Sequence, residues 1–180
     1  VTGNPPYIQL QKALPNGNGL KYADVYKNEN YKTFERTGDI YALFYEKGIN
    51  ILTEKGLLCY ITSNKWMRAN YGKSLRKYFS GQTPLKLIDL GPGVFNTATV
   101  DTNILLINNG FTNNHNLQAL TFTKFHKINE LDNTDFNTLT DLSEESWIIL
   151  TPKEHAIKQK IERIGTPLKD WDINIYRGVL

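Results

Sequence analysis

Apolar residues along this chain follow two rhythms, a helical spacing and short unbroken runs, and the two alternate. Ile40, Leu43, Phe44, Ile51 and Leu52 fall on one side of a helix that Asp39 is placed to cap and Lys55-Gly56 to close. The run Leu57-Leu58-Cys59-Tyr60-Ile61-Thr62 follows as a buried strand, and Ser63-Asn64-Lys65-Trp66 as the loop at its end. A second helix is predicted over 71–80, with Leu75, Tyr78 and Phe79 inward and Arg76 and Lys77 outward. Next come a strand over 85–90, a Gly- and Thr-rich connection over 91–102, and a strand over 103–107 that ends in the turn Asn108-Asn109-Gly110.

The remaining segments are more polar. Residues 12–38 carry Tyr22, Tyr26, Tyr31 and Phe34 without a sustained period and read as a long mobile loop. Beyond 117–125, the stretch 129–145 is weakly patterned, 147–150 reads as a short strand, and 152–164 as a helix with Pro152 in its first turn. Helices alternating with apolar strands predict an α/β fold with a mostly parallel, helix-covered sheet, and the last strand pair predicts a reversed strand at its edge. The expected division is 1–125 as the main domain, 126–164 as an extension, and 165–180 as a linker running into a further domain.

Composition narrows the class. With 40% hydrophobic and 12% aromatic residues in a chain of 180, one sizeable core is affordable. The single cysteine, Cys59, excludes a disulfide framework or thiolate cluster and suits a reducing cytoplasm. His115, His126 and His155 stand apart without ligand spacing, so no metal is expected. No apolar run is long enough for a bilayer span, and Val1-Thr2-Gly3 resembles neither a translation start nor a signal peptide, so the chain reads as part of something longer. A net charge of +3 permits nucleic-acid binding without arguing for it.

The candidate chemistry lies in Asn4-Pro5-Pro6-Tyr7. Two prolines fix two φ angles, remove two backbone donors and keep Asn4 out of the helical region, leaving a stiff loop rich in carbonyl acceptors. Such a loop suits an amine whose lone pair is delocalised into a ring. The Asn4 amide oxygen and the Pro5 carbonyl would each accept one amine hydrogen and aim the lone pair at an electrophilic methyl, while Tyr7 stacks on the base. A Pro-Pro-x-Tyr peptide ligand is excluded by spacing, because its tyrosine would fall on Ile8.

Asn4-Pro5-Pro6-Tyr7 resembles the catalytic motif of DNA adenine-N6 methyltransferases. The order of the segments that follow resembles the gamma class, including the modification parts of type IIG restriction enzymes: the helix at Gly38-Asp39-Ile40-Tyr41-Ala42-Leu43-Phe44, the strand and loop over 56–66, the strand ending in Val94-Phe95, and the closing strand over 100–107. The resemblance implies the C-terminal half of a Rossmann-like S-adenosylmethionine-dependent methyltransferase sheet. It also implies catalytic roles for Asn4, Pro5, Pro6 and Tyr7, with Phe95 stacking on the adenine face opposite Tyr7, and a prokaryotic, cytoplasmic enzyme acting on double-stranded DNA.

Asp89-Leu90-Gly91-Pro92-Gly93 mimics a cofactor loop, but a strand rather than a helix is predicted after it, so the main S-adenosylmethionine loop is expected before Val1, leaving Asn4 as this chain's cofactor contact. The fragment alone is expected to bind cofactor weakly and to be inactive. Lys65, Arg68, Lys73 and Arg76 are candidate DNA phosphate contacts. Residues 165–170 and 175–180 resemble the entry to a target-recognition domain, and an endonuclease fused in the full protein is a further expectation. Two other readings stand beside this one: methylation of RNA adenine or of a protein glutamine by the same loop, and a nucleic-acid-binding module whose prolines only form a turn.

Overall fold

The computed structural model describes residues 1–95, 100–110, 116–123, 128–140 and 142–173. The expectations that fall on 96–99, on His115 and His126, and on the tail 174–180 lie outside the described residues. The chain divides into two compact units, Val1–Ile149 and Leu150–Leu180.

Six strands build one mixed sheet: β1 (Thr2–Gly3), β2 (Leu57–Ser63), β3 (Thr83–Gly91), β4 (Thr102–Asn108), β5 (Leu117–Thr121) and β6 (Asn137–Leu139), in the order β1-β2-β4-β3-β5-β6. β1 runs parallel to β2 with Thr2 opposite Cys59, and β3 runs parallel to β5. β4 is antiparallel to both β2 and β3, with Tyr60 and Leu87 each opposite Leu105. The reversed strand that the sequence suggests is therefore present, but it is slotted between β2 and β3 instead of lying at the edge. Its burial is that of a strand with both sheet faces covered: Leu105 and Ile107 are fully buried and Ile104 and Leu106 half-buried.

Helices α2 (Tyr41–Asn50) and α3 (Lys73–Ser80) pack Tyr41, Tyr45, Ile49, Leu75 and Phe79 against Leu58, Leu87 and Leu105 of the sheet. Trp66 and Trp147 complete this core with their ring centroids 5.3 Å apart. Trp147 does not sit in a strand, contrary to the expectation for 147–150. Its backbone N–H donates to the Met67 carbonyl and its indole N–H to the Ser143 carbonyl, so a ring the size of indole plugs the core from an irregular segment.

The first long helix is shorter than its apolar spacing suggests. It stops at Asn50, leaving Ile51 63% exposed, because the Asn109 amide donates to the Leu52 and Thr53 carbonyls and its own carbonyl accepts the Lys55 N–H. These bonds turn the chain into β2, with Lys55 at φ 60°. Nor does Asp39 cap this helix. The capping position is Ile40, and the Asp39 carboxylate accepts the Tyr71 hydroxyl instead.

Residues 12–38 are folded, which overturns the mobile-loop expectation. They contain α1 (Tyr22–Tyr26), and Ala23 joins Leu10, Ile40 and Leu43 in a second small core on which Tyr22, Tyr26, Tyr31 and Phe34 pack. Backbone bonds from Leu10 N–H to the Gly38 carbonyl and from Ala23 N–H to the Leu10 carbonyl stitch the segment together. Buried Glu46 accepts both the Thr33 N–H (2.9 Å) and the Thr33 hydroxyl (3.0 Å), fastening it to α2.

In the second unit, α4 (Pro152–Ile164) matches the sequence reading. It opens with Pro152 in its first turn and a reciprocal cap between Thr151 and Glu154.

Candidate active site

β1 delivers its next residues, Asn4 to Tyr7, to the end of the sheet beside the end of β2. Pro5 is buried, Asn4 is exposed and Tyr7 half-buried, so the proline anchors the loop and leaves the amide free to meet a ligand. Tyr7 is held from two directions. Its hydroxyl donates to the Ile61 carbonyl at 3.2 Å, and its ring meets the edge of Tyr41 at 6.3 Å and 89°. Burial pushes its phenol above the ordinary value, which keeps it a neutral donor. The Phe95 ring lies 6.3 Å away from that of Tyr7, with the planes tilted by 56°.

A cavity of about 600 Å³ opens beside Tyr7, walled by Gln9, Asp39, Ser63, Lys65 and Val100 among others. Burial raises the Asp39 carboxyl above the usual range, and the Tyr71 hydroxyl bond (3.3 Å) and the Lys65 charge partly offset it. The Tyr71 hydroxyl in turn lies 3.5 Å from that of Tyr41, and burial lifts Tyr71 to about 12. The wall of the cavity is largely polar, with Lys12 and Lys65 as exposed cations on it.

Asp89 lies near the end of β3. It is 5% exposed, and its Oδ1 accepts both the Asn64 side-chain amide (2.8 Å) and the Gly91 N–H (3.2 Å), while Oδ2 faces the Arg68 guanidinium at 3.7 Å. Gly91 and Gly93 adopt φ of 65° and 81°, a region that disfavours a side chain. Among the described residues no helix opens after Gly93, and the next element is β4, antiparallel to β3. The Asp89-to-Gly93 loop therefore lacks the strand–loop–helix form of a cofactor-wrapping loop.

The model of the Eco57I restriction-modification methylase family matches residues 1–95, more than half of the chain. The chain belongs to the Eco57I restriction-modification methylase family. Its Escherichia coli relative, the type II restriction enzyme and methyltransferase RM.Eco57I, is 38% identical over 110 residues, covering 60% of this chain and 11% of the relative. The type II methyltransferase M.AccI of Acinetobacter calcoaceticus is 30% identical over 128 residues, 66% of this chain and 23% of that one. This Eco57I-family chain thus spans well under a third of the length of either relative.

In fold, it is similar to the nuclease-deleted type ISP restriction-modification enzyme LlaGI in complex with a DNA substrate mimic. That similarity has a TM-score of 0.60 at 20% identity, over 82% of this chain and 15% of that one. The DrdV–DNA complex gives 0.58 at 14% identity over 82% of this chain and 18% of that one. A further match, to a type I methyltransferase subunit from Streptococcus thermophilus, covers 90% of this chain and 31% of that one with a TM-score of 0.52 at 14% identity. The Eco57I-family chain thus shares its fold with parts of these three proteins.

The basic residues separate on inspection. Lys65 is exposed at the cavity rim, and Arg68 is 62% exposed with one edge on Asp89. Lys73 is half exposed but paired with Glu144 at 3.0 Å. Arg76 is the correction: it is 4% exposed and donates to the carbonyls of Trp66, Ala69 and Glu144. It clasps the turn between β2 and α3 and is not a surface cation. Gly72 makes room for that clasp, since a Cβ there would collide with the Trp66 carbonyl. Sequence reasoning missed Asp39 on the cavity wall and the hydroxyls of Tyr71 and Tyr41 linked to it. Asp39 preceding a helical run looks like a cap, and only its pairing with a tyrosine 32 residues on separates the two roles.

Proposed function

We propose that the protein carrying this chain is a site-specific DNA methyltransferase that transfers a methyl group from S-adenosylmethionine to the N6 amine of an adenine turned out of the duplex. The observation that carries the proposal is the exposed Asn4 amide on a proline-stiffened loop, beside the neighbouring rings of Tyr7 and Phe95. In this reading, the Asn4 side-chain oxygen and the Pro5 carbonyl accept the two amine hydrogens and localise the nitrogen lone pair, a task that needs no shifted pKa. Pro6 fixes the loop, and Tyr7 and Phe95 hold the base from its two faces. S-adenosylmethionine, when bound, supplies a methyl made electrophilic by its sulfonium.

The donor set suits that chemistry, because the loop 4–7 offers oxygens and no cation to repel a sulfonium. Asn4 is this chain's contact to the cofactor. With no cofactor-wrapping loop among the described residues, the chain alone is expected to bind it weakly and to be inactive. Lys65 and Arg68, with Lys73 in support, meet the phosphates of duplex DNA. The name of the E. coli relative joins restriction and methylation in one protein, and a fused endonuclease is part of the same proposal. No helix among the described residues is long and apolar enough to cross a membrane, and the proposed setting is the prokaryotic cytoplasm, where the DNA lies. Mass spectrometry of DNA, RNA and protein incubated with the full-length enzyme and isotope-labelled cofactor tests the assignment. Label in duplex DNA is expected, and label confined to RNA or protein contradicts it.

A further inference from the structure

We propose that Asp89 is a positioning residue for the base slot: its buried carboxylate sets where Phe95 stands over Tyr7. The inference rests on the base-holding reading above and adds a residue that neither touches the base nor belongs to the catalytic loop.

Three observations carry it. First, Asp89 lies at an irregularity in the ladder. Asp89 pairs with Asn103 and Gly91 with Thr102, so the residue between them is extra, a bulge of the kind that re-aims a chain at the end of a strand. Second, the carboxylate fills the bulge. Oδ1 takes the Gly91 N–H at the bulge and, at the same time, the Asn64 amide from the loop after β2. Third, little slack separates the anchor from the ring. Gly91 and Gly93 are turned at positive φ on either side of Pro92, and Phe95 follows two residues later, 6.3 Å from Tyr7. Because Tyr7 is fastened to β2 through the Ile61 carbonyl and Asn64 follows β2 directly, Asp89 ties both rings to the same strand end. A carboxylate can accept several bonds at once and a buried one is left costly if they are broken, which suits a hub holding two loops in register.

The test uses the full-length protein and a duplex carrying 2-aminopurine at the adenine that the enzyme methylates, whose fluorescence rises when the base leaves the stack. Asp89→Ala is expected to cut the fluorescence gain and kcat on the order of tenfold, as a displaced binding wall should. Phe95→Ala should have a comparable effect, and the double variant should be little worse than either alone. Asp89→Asn, which still accepts from Gly91 and Asn64, should restore most of the loss. Asn64→Ala, which removes one donor and leaves the bulge bond, should show a smaller effect of the same kind and carries the comparison if Asp89→Ala does not fold. Multiplying effects in the double variant, or a lowered melting temperature with fluorescence and kcat intact, would overturn the inference while leaving the base slot standing. An unchanged signal in Phe95→Ala alone would sink the base-slot reading itself.

Discussion

The Tyr7 hydroxyl donates to the backbone carbonyl of Ile61 at 3.2 Å, so the ring that follows Asn4 and the two prolines is tied to β2 and not merely to its own loop. The bond and the ring are separable. Tyr7→Phe keeps the stacking face and should lose about 1 kcal/mol of stability, the usual net worth of one hydrogen bond, with kcat/KM changed only a few-fold. Tyr7→Ala should lower kcat/KM by one to two orders of magnitude, as expected for a lost base-stacking platform worth roughly 1–3 kcal/mol. Thermal melts and steady-state methylation of the two variants check this pair.

Arg76 and Lys65 should part ways under mutation. Arg76→Met leaves the carbonyls of Trp66 and Ala69 without their donor in a buried turn, and should cost roughly 2–4 kcal/mol of stability by denaturant titration. Lys65→Ala should leave stability nearly unchanged but weaken DNA binding at all sequences and reduce the salt slope of the affinity by about one.

Asp39 provides a pH signature. Its carboxyl is raised by burial in the folded chain, so deprotonation favours the unfolded state. Its contribution to stability is fully present below the unfolded carboxyl value and is lost as pH rises through the folded one. Asp39→Asn keeps an acceptor for Tyr71 and removes this penalty. Melting temperatures should therefore be higher than wild type at neutral pH, with the difference closing in acid.

The strands and the stiffness of the loop 4–7 were legible because their causes are local: apolar runs in β2 and β4, the apolar-rich stretch of β3, and two prolines beside Asn4. What was not legible depends on partners distant in the chain. The run 103–107 reads as a strand but does not say which strands flank it. The aromatics between Tyr22 and Phe34 have no period because they pack on a small separate core and not along one element face. Arg76 looks like an outward charge until the 66–69 turn supplies its carbonyls. Asp89 belongs to a motif that mimics a cofactor loop, and only the bulge and its two donors show what it holds.

The central claim is tested most directly at Asn4. Full-length protein is incubated with duplex DNA and S-adenosylmethionine, and the nucleosides are resolved by mass spectrometry for wild type and Asn4→Ala, with folding checked by circular dichroism. Wild type should yield N6-methyladenine and no methylated cytosine, and the folded variant should fall by at least about a hundredfold, as removal of one preorganised transition-state contact does elsewhere. Methylation at another atom, or Asn4→Ala retaining wild-type activity, would contradict the account.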